Sequence, residues 1–342
     1  MAFLVGMLLG VVFVSPFVLC YALFIRWIDR FEPEPWWLLT VAFFWGALFA
    51  TLGGGLSSAV GEGVAMAVTG APETADSIQA FGATVLAPVF EEGFKGLGVA
   101  IIAAISAMGV KELDGPLDGA IYGGMVGLGF TLTEDTLYVA SAFAEQGLAG
   151  FVGLLFLRTV LLGLSHCTFT ACTGLGFGIA VESRSWFVKI LAPLVGYGCA
   201  MAMHAMHNAL PTFLHAEGTV LMILVSWAID ILFFVILAVL VVRDRSIVIR
   251  ELLPEVGALL HPQELRLVTT YFAIGWRNWG TLMSQGWAQF RNRRKKQLAL
   301  VEIAFIKNRR RRGEFGRTLD VKEAKLRWEV ATLNRLGVWI GS

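Results

Sequence analysis

Seven stretches of roughly twenty or more mostly apolar residues run through this chain, at about 3–25, 36–60, 79–108, 117–143, 149–180, 188–214 and 219–242. A hydrocarbon core of ~30 Å is crossed by ~20 residues of helix. Within that core each backbone N–H and C=O must find its partner inside the protein. The stretches therefore predict an all-α, polytopic membrane helix bundle of about seven transmembrane helices. Composition agrees, with 56% of the 342 residues hydrophobic and 15% charged, against ~45–50% and ~25% in soluble domains. Disorder, collagen and a disulfide-rich secreted scaffold are excluded. The cysteines Cys20, Cys167, Cys172 and Cys199 lie in apolar runs without CxxC spacing and read as small buried hydrophobes. The opening Met1-Ala2-Phe3-Leu4 lacks the basic start of a signal peptide.

Charge divides the chain. Residues 1–242 carry 7 Lys and Arg against 17 Asp and Glu, and residues 243–342 carry 20 against 9. The expected organisation is a transmembrane domain over 1–242 and a basic, helical cytoplasmic tail over 243–342. The loop cations Arg26, Arg30, Lys111, Arg184 and Lys189 all fall on the tail's side of the membrane. The alternate loops, Gly61–Ile78, Ala144–Ala149 and His215–Gly218, carry no Lys or Arg. Positive loops stay in the cytoplasm, so the N-terminus is expected outside and the C-terminus inside.

Ionisable side chains at bilayer depth are costly and mark sites or internal partners. The third stretch holds Glu91-Glu92-x-x-Lys95, with Glu91 and Lys95 at the i,i+4 spacing of a helical ion pair. The lysine can hold one carboxylate while the other serves as base or ligand; the bland reading is a Glu–Lys pair joining helices. The fourth holds Phe130-x-x-x-Glu134-Asp135 with no basic residue within a turn, which needs partners from elsewhere or a helix dipping into a vestibule. The fifth holds Arg158, able to snorkel or to pair with an acid, and His166, which alone is more often structural than a ligand. The sixth holds His204-x-x-x-Asn208, one turn apart on one face, with His207 alongside. Counted from the assigned faces, Glu91 and Glu92, Glu134, His166 and His204 fall near mid-depth of four consecutive helices. Carboxylate and imidazole meeting at one depth in lipid define a reactive or metal-binding site.

Peptide hydrolysis needs an activated water and a stabilised oxyanion, and glutamate with histidine supplies both. The chain has no HExxH, no GxSxG and no GxGD-type aspartate motif. The ordered set Glu91-Glu92-x-x-Lys95, Phe130-x-x-x-Glu134, His166 and His204-x-x-x-Asn208 resembles the PrsW family of bacterial intramembrane proteases, which shares a glutamate-dependent clan with the CAAX prenyl proteases. The motifs span about 88–210, and the apolar flanks extend the resemblance over 1–242.

The resemblance implies that Glu91 and Glu92 supply the water-activating base with Lys95 as partner. Glu134 takes the second-motif position, His166 the third, and His204 with Asn208 the fourth. It leaves open a metal-free glutamate mechanism or a divalent metal, zinc first, held by His166, His204 and Glu134. It further implies membrane-protein substrates and a multi-pass protein of the bacterial cytoplasmic membrane. Two departures stand out: the second motif is Glu134-Asp135 where the family often has Glu-Asn, and the wider clan has His at the Glu134 position. The rival readings are an ion- or proton-coupled transporter, which uses the same buried residue types, and a non-catalytic relative that binds membrane proteins.

The tail carries Trp276, Trp279 and Trp287 with two basic runs, Arg291–Lys296 and Arg309–Arg312. Tryptophan beside Lys and Arg after a last span suits a helix on an anionic leaflet, with lipid headgroups as partner. A small helical bundle with a solvated basic face is the competing reading. No recognition motif supports nucleic acid.

Overall fold

The computed structural model describes residues 1–73, 75–110 and 112–341; Lys111, one of the loop cations counted above, lies outside them. Among the described residues the chain is helical with no strand. It forms two compact units, one of Met1–Asp29 and Glu34–Leu237, the other of Arg30–Pro33 and Ala238–Ser342.

The first unit contains α1 (Ala2–Ile28), α2 (Trp36–Phe44), α3 (Thr51–Thr69), α4 (Asp76–Phe81), α5 (Ala87–Ile105), α6 (Pro116–Leu154), α7 (Ser165–Glu182) and most of α8 (Trp186–Leu252). Wider π-helical turns join α2 to α3 at Trp45–Ala50 and α4 to α5 at Gly82–Leu86. Among the described residues, four helical stretches are long and apolar enough to cross a membrane: Ala2–Ile28, Trp36–Thr69, Pro116–Glu182 and Trp186–Glu255. The last two are bent, at Gly147 (φ 64°, ψ −150°) and at His215 (φ 50°, ψ −125°). Residues on either side of each bend meet. The Phe143 and Phe151 rings lie 6.2 Å apart, Thr159 Oγ1 donates to Asp135 Oδ2 at 2.8 Å, and His207 Nδ1 lies 3.1 Å from Ser226 Oγ. Both stretches are thus helical hairpins.

The connections are tighter than the loops expected from sequence. Ala144–Ala149 and His215–Gly218 reduce to single-residue bends, and much of Gly61–Ile78 is helix. The apolar run Val64–Val68 carries α3 on to Gly70, whose φ of 68° supplies the left-handed cap that ends it.

Backbone contact between α6 and α7 positions the polar centre. A Cβ on Gly123 would meet the Thr170 carbonyl and one on Gly127 would overlap the His166 carbonyl, an approach that only a residue without a side chain permits. Glu134, two turns beyond Gly127, is held at a fixed height relative to the His166 ring. On α5, Tyr197 Oη donates to the Val89 carbonyl at 2.8 Å and Trp45 Nε1 to the Phe94 carbonyl at 2.8 Å. These bonds clamp the helix on both sides of Glu91 and Glu92.

The second unit packs the end of α8 with α9 (Pro262–Val268), α10 (Ala273–Arg311) and α11 (Arg317–Arg335). Val248, Leu252, Val268, Leu300, Ile303 and Val330 form its core. Inside it, buried Lys296 donates to Glu264 Oε1 at 2.5 Å and to the Val338 carbonyl at 2.8 Å. The basic run Arg309–Arg312 is largely committed to internal pairs: Arg309 to Glu314, Arg310 to Asp320 and Glu323, Arg311 to Glu251. Glu255 accepts both Nη1 and Nη2 of Arg327 at 2.8 Å, and this fork raises the guanidinium's pKa above its ordinary value. The tail therefore has a packed apolar core, with much of its charge turned inward.

Candidate active site

Glu92, on α5, has no exposed surface, and three neighbours hold its carboxylate. Lys95 Nζ donates to Oε1 at 2.8 Å, His204 Nδ1 lies 3.0 Å from the same oxygen, and Thr170 Oγ1 donates to Oε2 at 3.1 Å. Thr170 went unnoticed in the sequence, yet it lies one helical turn after His166 and shares its face.

Lys95 is equally buried. Its ammonium reaches His166 Nδ1 at 3.2 Å and sits 3.5 Å from the centre of the Phe130 ring. The aromatic face balances the cation on a side with no carboxylate. His166 Nε2 in turn lies 2.8 Å from Glu134 Oε2.

Glu134 also pairs with Arg158 Nη2, and Arg158 Nε donates to Asp135 Oδ1 at 2.9 Å. The adjacent acids of α6 thus find their cation across the Gly147 bend. Sequence reading allowed Arg158 to pair or to snorkel, and it pairs. The Tyr138 ring covers its guanidinium at 3.9 Å.

Glu91 differs from its neighbour. Its Oε2 is buried and makes no hydrogen bond among the described residues, although Lys95 Nζ is 3.7 Å away and His204 Nε2 3.8 Å. Its side chain keeps 12% exposure, Glu134 keeps 16% and Arg158 19%, whereas Glu92 and Lys95 keep none. Glu92 and Lys95 are thus sealed, whereas Glu91, Glu134 and Arg158 keep a little exposed surface.

Glu91, Glu92, Lys95, Glu134, His166 and His204 therefore come together from α5, α6, α7 and α8. Asn208 does not join their hydrogen bonds; its amide donates to the Ala83 carbonyl at 2.8 Å. Phe169 stacks on His204 with centroids 5.7 Å apart.

A helical membrane protein with carboxylates, imidazoles and a buried lysine at one centre belongs to the class that can do polar chemistry inside a bilayer. The sequence profile described as PrsW family intramembrane metalloprotease matches residues 34–242, more than half of the chain. The chain belongs to this family, and its membership makes it a membrane peptidase. No curated protein and no solved structure matches it.

The family description includes a metal, and the donors present fit one. Glu92, His166 and His204, all buried, each offer a ligand atom, and these lie within 4.8 Å of one another. One carboxylate and two imidazoles match the donor set of catalytic zinc sites. The trio contains Glu92 where the sequence suggested Glu134; Glu134 is bonded to His166 and Arg158. Two of these donors, Glu92 Oε1 and His166 Nδ1, are bonded to the Lys95 ammonium here, at 2.8 and 3.2 Å.

Proposed function

We propose that this chain is an intramembrane endopeptidase with a glutamate–histidine site in which Glu91 is the base. The supporting observation is the inequality of the two carboxylates. Glu92 is held by Lys95, His204 and Thr170, whereas Glu91 Oε2 is unbonded and its side chain is partly exposed. Because the Lys95 ammonium already donates to Glu92 Oε1, His204 Nδ1 donates there too, which leaves Nε2 as an acceptor 3.8 Å from Glu91 Oε2. A water admitted between them donates to both. Glu91 takes one proton as the water oxygen bonds to the peptide carbonyl carbon. The C–N bond then breaks, and the proton held by Glu91 passes to the leaving amine. A divalent metal, zinc first, bound by Glu92, His166 and His204 would supply Lewis-acid polarisation of the carbonyl.

The fold supports seven crossings: α1, α2 with α3, α4 with α5, and the two arms of each hairpin bent at Gly147 and His215. With the loop charges, the reading is an outside N-terminus, a transmembrane peptidase domain over 1–242 and a cytoplasmic tail over 243–342. The setting is the bacterial cytoplasmic membrane. Substrates are membrane proteins cut within or near the bilayer.

The test uses purified protein in liposomes with a panel of tagged single-span membrane proteins. Glu91→Gln should lower product formation by ~100-fold or more with the melting temperature unchanged, and His204→Ala should also abolish cleavage. Equal product from all three proteins would overturn the site. No product from the folded wild type, with solute flux that depends on the same residues, would favour a transporter.

A further inference from the structure

We propose that the bent tip of α10 docks the C-terminal unit onto an anionic lipid leaflet. This goes beyond the peptidase reading and does not depend on it. The helix bends at Gly286 (φ 80°), and its two arms are tied together by polar groups. Asn278 Nδ2 donates to Gln297 Oε1 at 2.8 Å, Gln297 Nε2 donates back to Asn278 Oδ1 at 3.0 Å, and Thr281 is buried beside them. The apolar side chains point the other way. Trp276, Trp279 and Met283 follow the 3–4 spacing of one helical face and are 78%, 58% and 72% exposed, and Trp287 just past the bend is 64% exposed. Polar inside and aromatic outside is the reverse of a helix that faces water. The unit's own core lies elsewhere, around Leu252, Leu300 and Val330.

Charge identifies the occupant. From 265 to 301 the chain carries 7 Lys and Arg and no Asp or Glu. Arg291 and Arg294 are exposed just beyond the bend. Two copies of such a face repel each other, whereas an anionic leaflet accepts both parts: indoles settle at headgroup depth and cations meet the phosphates. Nucleic acid shares the phosphate chemistry but offers no apolar layer for Met283.

The experiment uses the full chain with Cys20, Cys167, Cys172 and Cys199 replaced by alanine and a fluorescent nitrobenzoxadiazole label at Met283→Cys. A second chain carries the label at Lys325→Cys, an exposed position on α11. Both are reconstituted in nanodiscs of phosphatidylcholine alone or mixed with phosphatidylglycerol. The expected result is a blue-shifted position-283 label in anionic discs, quenched by doxyl lipids at least roughly twofold more than the position-325 label. The Arg291→Glu/Arg294→Glu variant should lose most of that difference. Water-like emission in both discs overturns the proposal. A shielded label that doxyl lipids do not quench, or shielding that grows with protein concentration or added RNA, also overturns it by placing another macromolecule on the face. Hydrogen exchange of 276–287 in the unlabelled wild type repeats the measurement without substitutions; slower exchange in anionic discs is expected, and equal exchange counts against docking.

Discussion

Lys95 Nζ lies 3.2 Å from His166 Nδ1, and this contact selects the imidazole's tautomer. An ammonium only donates, so Nδ1 accepts and the ring proton sits on Nε2, which donates to Glu134 Oε2 at 2.8 Å. A carboxylate behind a ring N–H holds the plane of the imidazole, as it does for histidines that bind metals. Lys95 and Glu134 thereby set His166 from opposite edges.

Removing Lys95 should unsettle the protein before it affects catalysis. Lys95→Met leaves Glu92 buried without its cation, a change that costs ~3–5 kcal/mol. Pairing it with Glu92→Gln should recover much of that loss. Thermal melts in one detergent check both, and a double variant no more stable than Lys95→Met alone would contradict the pairing.

Arg158 acts through Glu134 and Asp135, and its planar fork is what spans them. Arg158→Lys cannot reach both carboxylates in that geometry, so kcat should fall about ten- to hundredfold with little change in melting temperature. The pH profile of cleavage should change shape in this variant. An unaltered profile with normal kcat would leave Arg158 a packing residue only.

Metal binding separates two ligand sets. Purified protein should carry a divalent ion, and His166→Ala, His204→Ala and Glu92→Gln should each strip it. Glu134→Gln should retain the ion with affinity weakened ~10–100-fold. Elemental analysis alongside a competition titration reads both. Full loss of metal from Glu134→Gln with retention in Glu92→Gln would favour the set of His166, His204 and Glu134.

His215 holds the second bend with φ 50°, a region where a side chain costs ~1–3 kcal/mol. His215→Gly should therefore raise the melting temperature, and Gly147→Ala, at the matching bend with φ 64°, should lower it. A drop for His215→Gly would show that the side chain gives back more than the backbone loses.

Much of the site could be read from the chain because charged residues in lipid have few innocent explanations. Glu91, Glu92, Glu134, His166 and His204 stood out against apolar surroundings, and the structure gathers them at one centre. The i,i+3 and i,i+4 spacings placed Lys95 beside the acids. Long-range partners were harder, since pairing depends on how hairpins fold back. Arg158 meets Glu134 only through the bend at Gly147, and Thr170 contacts Glu92 only because α7 packs on α5. The sequence placed the turns correctly at Ala144–Ala149 and His215–Gly218 but not their tightness, since Gly147 and His215 each turn the chain within a single residue. In the tail, the Arg309–Arg312 run suggests a lipid-facing or a solvated basic face, whereas much of it pairs internally with acids such as Glu251 and Glu323 that the local spacing does not reveal.

Four acidic side chains, Glu91, Glu92, Glu134 and Asp135, pair with two basic ones, Lys95 and Arg158. The acids thus outnumber the two basic side chains by two. A low-dielectric interior enforces local electroneutrality far more strictly than water does. That excess equals the charge of one divalent ion, or of two protons shared among the acids and imidazoles. The same excess of acid gives the cluster an appetite for cations, independently of which residue performs the chemistry.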